Sequence, residues 1–113
     1  MSSEPREIAD GTLEVRTAEN GETQVVSLCG ELDLANAPTA ETALERALQR
    51  SRRVVIDMRE LEFIDSTGIA LLVAALGHNG EAELGFVPSS SRVVNRVLEL
   101  TGLAGRLPLV DAP

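Results

Sequence analysis

The run Phe63-Ile64-Asp65-Ser66-Thr67-Gly68-Ile69 holds the groups best suited to chemistry in this chain. Apolar residues bracket a small polar group, which would fix the Ser66 hydroxyl at an exposed place where a helix begins. The free N–H groups and positive dipole end of a helix N-terminus favour an anion, so a phosphate on Ser66 would be well seated. Gly68 would keep the approach to that turn open. Serine, threonine and aspartate are also the commonest N-caps, and a cap alone is worth about 1 kcal/mol. On these residues alone Ser66 is more readily a cap than a phosphoacceptor, and both roles stay open.

Other chemistry finds little support. A hydrolytic serine needs a base within hydrogen-bond reach. His78 is the only histidine, and a continuous helix from Ser66 would carry it about 18 Å away along the axis. No glycine precedes Ser66 to form a nucleophile elbow. One cysteine and one histidine among scattered acids give no metal-ligand spacing. The chain has no lysine, and so no glycine-rich phosphate loop carrying one. Asp57, inside a β-branched run, reads as a hydrogen-bonded structural acid rather than a phosphoaspartate, and Arg52-Arg53 as a solvated helix end. Cys29 has no partner for a disulfide and reads as a small buried apolar residue. The sequence therefore predicts no catalysis, no cofactor and no metal.

The elements that must position Ser66 follow from hydrophobic periodicity. Leu13 to Thr17 alternates apolar and polar residues, Asn20-Gly21 signals a turn, and Thr23 to Leu28 returns as the second strand of a hairpin. After the break Gly30-Glu31-Leu32-Asp33, Pro38 falls where a helix accepts proline in its first turn. Ala40, Ala43, Leu44, Ala47 and Leu48 then form one apolar stripe at helical spacing. Val54 to Met58 predicts a central strand and Arg59 to Asp65 a loop. Ser66 to about Leu76 predicts a helix apolar nearly all round and therefore largely buried. Glu83 to Val87 predicts a strand, and a third helix runs from about Ser91 to Thr101-Gly102, a glycine in the favoured position past the end. Leu107 to Val110 could add a last short strand.

Strands alternating with helices at this spacing imply right-handed crossovers. The predicted fold is α/β: one mixed, mainly parallel sheet of four to five strands after an N-terminal hairpin, with three to four helices packed on it. Function in such sheets gathers beyond the carboxyl ends of the strands, where Gly30 to Asp33 and Asp65 to Gly68 both fall. Residues 1–11 read as a flexible leader, 12–110 as the domain and 111–113 as a tail.

Length and charge narrow the partners. At 113 residues the chain is one domain's worth, and 43% apolar residues suffice for a core. Phe63 and Phe86 are the only aromatics, too few for a platform that stacks nucleic-acid bases. A net charge of −8 repels polyanions and steers in partners with a basic face. The longest apolar run, Ile69 to Leu76, falls well short of a membrane span. With no signal-peptide pattern at the start, the expected location is cytoplasmic.

Together, Gly30-Glu31-Leu32-Asp33, the strand Val54 to Met58, Asp65-Ser66-Thr67-Gly68 and Leu98-Glu99-Leu100-Thr101-Gly102-Leu103 resemble, in order and spacing, a stand-alone STAS domain of the anti-sigma factor antagonist family. The resemblance covers Leu13 to Val110. It implies a partner-switching regulator that binds an anti-sigma factor, itself an ATP-dependent serine kinase, and so frees a sigma factor. The kinase would phosphorylate Ser66 and break the complex, and a metal-dependent phosphatase of the PP2C type would reset it. The resemblance also places Asp33, Asp65, Ser66, Thr67 and Gly68 on the partner-binding surface. Stand-alone STAS domains resemble, in addition, accessory subunits of bacterial lipid-transport ABC complexes, where Ser66 would serve only as a helix cap.

Overall fold

The computed structural model describes residues 6–113; the part of the expected leader before Arg6 lies outside the described residues. The elements run β1 (Arg6–Asp10), β2 (Leu13–Asn20), β3 (Thr23–Leu32), α1 (Ala37–Arg50), β4 (Arg53–Asp57), β5 (Leu61–Ile64), α2 (Ser66–Leu76), β6 (Glu83–Val87) and α3 (Arg92–Leu100). They form one six-stranded sheet ordered β1-β2-β3-β4-β6, with β5 paired to β3 off that path. β1, β2 and β3 meander antiparallel, whereas β3–β4, β3–β5 and β4–β6 pair in parallel. This is the mixed α/β sheet the periodicity predicts, with three helices among the described residues.

Four particulars differ from the sequence reading. Arg6–Asp10, within the expected leader, is a strand, held by pairing with β2 from Arg6 opposite Thr17 to Asp10 opposite Leu13. The expected loop after β4 contains β5, whose Leu61 and Ile64 are buried while Glu62 and Phe63 face solvent. Residues 107–110 supply only one isolated bridge, Leu109 to Phe86. Helix α2 is not buried all round: Gly68, Leu71, Leu72 and Ala75 face inward, while Ala70, Val73 and Ala74 are exposed.

One cluster of buried side chains binds all three helices to one face of the sheet. It joins Leu13, Val26, Leu28, Ile56 and Phe86 from the strands to Leu44 of α1, Leu72 of α2 and Leu98 of α3. Burying each such side chain contributes about 1.5–3 kcal/mol, which is what fixes the helices in place. Val25, Val55 and Val87 form a smaller cluster with Val110 against them, using the alternate positions of β3, β4 and β6 and hence the reverse face.

β3 divides its pairing between two neighbours. Thr23 to Ser27 pairs with β4; Gly30 to Leu32 pairs with β5, with a register shift inside that pairing at Gly30/Glu31. At that shift Gly30 takes φ 101°, and a Cβ there would fall onto the backbone carbonyl of Thr12. Only glycine meets both conditions. Gly30→Ala is therefore expected to cost about 2–5 kcal/mol, from backbone strain plus overpacking, as measured by denaturant unfolding.

Asp57 closes β4 almost wholly buried, at 6% exposure. Its carboxylate accepts hydrogen bonds from the Arg59 backbone N–H at 3.0 Å and from the guanidinium at 2.7 to 3.2 Å. Burial alone would push its pKa up; the Arg59 hydrogen bonds and charge outweigh burial and hold it below the ordinary carboxylate value. A carboxylate lowered on folding adds stability that is complete above its unfolded pKa of about 4 and fades as pH falls through the folded value. Asp57→Asn should thus flatten the acid limb of the stability profile below about pH 4, as read by thermal unfolding across pH.

Candidate functional site

Leu32 of β3 and Ile64 of β5 lie opposite each other at the ends of paired parallel strands, so the loops that follow leave the sheet side by side. Asp65 ties them together. Its backbone N–H donates to the Leu32 carbonyl at 3.2 Å. Its Oδ2 accepts from the Leu34 N–H at 3.0 Å, and its Oδ1 accepts from the Gly68 N–H at 3.0 Å in the first turn of α2. One carboxylate thus caps the helix and anchors the neighbouring loop.

Asp33 belongs to a second knot on that neighbouring loop. Its Oδ1 accepts from the N–H groups of Ala35 at 3.0 Å and Asn36 at 3.3 Å. Asn36, 2% exposed, accepts through Oδ1 from the Asp33 N–H at 2.9 Å and donates through Nδ2 to the Glu31 carbonyl at 2.9 Å. Buried amides need such partners. Asn36 carries no motif in sequence, and only the neighbouring Asp33 hints at it, through the propensity of Asp for turns.

With Asp65 as cap, Ser66 is relieved of that duty and becomes the first residue of α2. Its side chain is exposed and makes no hydrogen bond among the described residues. The expectation that Ser66 could serve as the cap is corrected: the preceding aspartate takes the role. Thr67 follows, half-buried. Gly68 is buried, contrary to a place on an open surface: a Cβ would meet Ile64 Cγ1 at 2.6 Å and the Leu32 side chain at 3.0 Å. Its small size lets α2 seat against the strand ends instead of opening an approach for a ligand.

The elements that meet at Ser66 carry exposed apolar side chains. Ala70 and Val73 stand one and two turns along the same helical face, and Val73 is 41% exposed. Phe63, also 41% exposed, precedes the Asp65 cap, and Leu34, 73% exposed, follows the loop it anchors. Sequence reasoning gave none of these side chains a surface role; on β5, Phe63 stands opposite Glu31 of β3 and is exposed.

The arrangement has no catalytic machinery at the serine. Helix α2 is unbroken from Ser66 to Leu76, which keeps His78 about 18 Å away along the axis, where its Nδ1 accepts from Gly80 N–H at 3.2 Å. The Asp57 carboxylate is taken up by Arg59. What remains at the start of α2 is an exposed serine hydroxyl at a helix N-terminus, with no side-chain hydrogen bond of its own among the described residues. The fold that carries it is a single mixed α/β sheet with helices packed on it.

Comparison with known proteins identifies the family. The family described as "Mlab, STAS domain" matches residues 15–111. The anti-sigma-F factor antagonist RsfB of Mycobacterium tuberculosis is 30% identical over 96 residues, covering 84% of this chain and 79% of that protein. A crystal structure of an anti-sigma factor antagonist from Mycobacterium paratuberculosis superposes with a TM-score of 0.80 at 29% identity, covering 92% of this chain and 90% of that one. The Bacillus cell fate determinant SpoIIAA in its phosphorylated form shares the fold, with a TM-score of 0.63, 20% identity, and coverage of 88% of this chain and 91% of that one. The chain belongs to the STAS-domain family of anti-sigma factor antagonists, which are regulatory binding proteins and not enzymes. No helix among the described residues is long and apolar enough to cross a membrane.

The two adjacent polar residues should separate cleanly in stability. Ser66→Ala is expected to change unfolding free energy by less than about 0.5 kcal/mol, as for a surface site without special contacts. Asp65→Ala should cost about 1–3 kcal/mol, because a helix cap and the acceptor for Leu34 vanish together. Urea unfolding of the two variants checks both.

Proposed function

We propose that this chain binds an anti-sigma factor serine kinase through the apolar surface around Ser66, freeing a sigma factor, and that phosphorylation of Ser66 ends the complex. The observation that carries this reading is the division of labour between Asp65 and Ser66: the cap is supplied by the aspartate, leaving the serine hydroxyl exposed and unengaged. A PP2C-type phosphatase resets the switch, and the exchange takes place in the cytoplasm. The names of the relatives support the kind of partner.

Phosphorylation adds about −1.5 to −2 of charge and three acceptor oxygens. At a helix N-terminus that charge is favourable by about 0.3–1 kcal/mol, so the modified domain keeps its fold. Docking suffers instead. The phosphate would sit among Leu34, Phe63 and Val73, which a partner must desolvate, and beside the carboxylates of Asp33 and Asp65.

A second reading is favoured by one observation, the family description that matches the chain: an accessory subunit of a lipid-transport ABC complex, docking through the same apolar surface without phosphorylation. The cap role expected of Ser66 under that reading belongs to Asp65.

The deciding experiment incubates the protein with ATP and each anti-sigma kinase of its own genome, followed by intact-mass spectrometry and peptide mapping. The expected result is one phosphate on Ser66, absent in Ser66→Ala, with the melting temperature of the modified protein held or raised. No phosphate with any kinase, together with capture by a transporter ATPase, would replace the switch by the accessory role. In parallel, Val73→Asp and Phe63→Asp should weaken kinase binding by tenfold or more, about 1.4 kcal/mol each, while leaving the fold intact. Calorimetric titration and circular dichroism read the two effects apart.

A further inference from the structure

β1 is the open edge of the sheet: among the described residues nothing pairs with its outer side. The other edge, β6, is covered in part where Phe86 N–H donates to Pro108 and Val110 N–H donates to Phe86. An unpaired edge is a template for another strand, and the side chains of β1 specify which strand fits.

Arg6, Ile8 and Asp10 alternate onto one face, the helix side. Arg6 and Ile8 line a groove against Pro38, Thr42 and Arg46 of α1, and Asp10 accepts a hydrogen bond from the Thr39 hydroxyl. Ile8 is 50% exposed. Arg6 makes no ion pair among the described residues. On the reverse face Glu7 lies 3.7 Å from Arg16 of its own sheet, so its charge is already matched.

Consider two copies of β1 side by side, antiparallel, with a two-fold axis at Ile8. Arg6 of each copy then stands opposite Asp10 of the other, Ile8 meets Ile8, and Glu7 meets Ala9. Opposite charges across a strand pair are favourable and like charges unfavourable. Moving the axis to Glu7 sets Glu7 against Glu7. Moving it to Ala9 leaves Arg6 opposite Thr12, beyond the strand. Only the register centred on Ile8 uses all five residues and satisfies both charges.

We infer that a second copy of this chain docks at this edge, forming a two-fold symmetric dimer whose sheets join through β1. The same patch serves both subunits, as an isologous contact requires. The seam is short, so the dimer is a weak one, and it weakens with salt because its charge pairs are exposed.

The test uses sedimentation equilibrium of the full chain from micromolar to millimolar concentration, at low and at high salt. The expected result is a reversible dimer that loosens at high salt. Arg6→Asp should raise the dimer dissociation constant at least tenfold, and adding Asp10→Arg to that variant should restore it. Ile8→Cys should give a disulfide-linked dimer on mild oxidation, since its thiols meet at the axis while Cys29 is buried. Circular dichroism confirms that each variant is folded. A chain that stays monomeric throughout would overturn the inference and leave the β1 charges as guards against pairing. A dimer indifferent to Arg6→Asp would overturn it equally, by placing the contact elsewhere.

Discussion

The site depends on one carboxylate. Asp65 lies where β5 hands over to α2, and its two oxygens satisfy two backbone donors that no other group reaches: Gly68 within the helix and Leu34 across the gap. Orphan N–H groups at a helix start must find partners, and a charged acceptor makes the strongest of the available caps. Because that need is met one residue upstream, Ser66 carries no structural obligation. Under the proposed switch, this leaves the hydroxyl free to be modified and restored without the fold relying on it. Gly68 completes the arrangement by letting the first turn of α2 press against Leu32 and Ile64.

The distribution of apolar side chains points the same way. The chain has apolar side chains in excess of its core, and they lie exposed on β1, α3 and the C-terminal segment as well as near the start of α2. Val73, Phe63 and Leu34 are three of these, on the elements that meet at Asp65 and Ser66, in a protein whose net charge is −8. Contiguous apolar surface rimmed by polar groups marks an interaction site, whereas single exposed aliphatics need no explanation. The acidity of the rest of the molecule keeps such a surface from self-association through non-specific contact and favours a partner of opposite sign.

Much of this was legible in the sequence. The stripe from Ala40 to Leu48, the β-branched run before Met58 and the bounds of α2 and α3 follow from periodicity and end signals alone. What escaped was set by tertiary context. Arg6–Asp10 holds one strong β-former, Ile8, and becomes a strand because β2 offers it an edge. Leu61–Ile64 buries its ends and exposes its middle, which breaks the period of two by which strands are recognised. Asp65 and Ser66 are both good caps, and the choice between them depends on where the helix starts to within one residue, the least certain feature of any sequence reading. The outward face of α2 looked like core because it is apolar, and only the packing of its opposite side against the sheet shows which half is surplus.

The change of neighbour along β3 has a wider consequence. By passing β3 from β4 to β5, it brings Leu34 and Asp65, 31 residues apart in sequence, within one hydrogen bond. The surface around Ser66 is therefore a discontinuous epitope. No peptide cut from either loop reproduces it, and a half-made or unfolded chain does not display it. On the proposed function, a kinase that recognises Ser66 would read the completed tertiary structure as well as the local sequence, and the domain's own folding would act as a proofreading step.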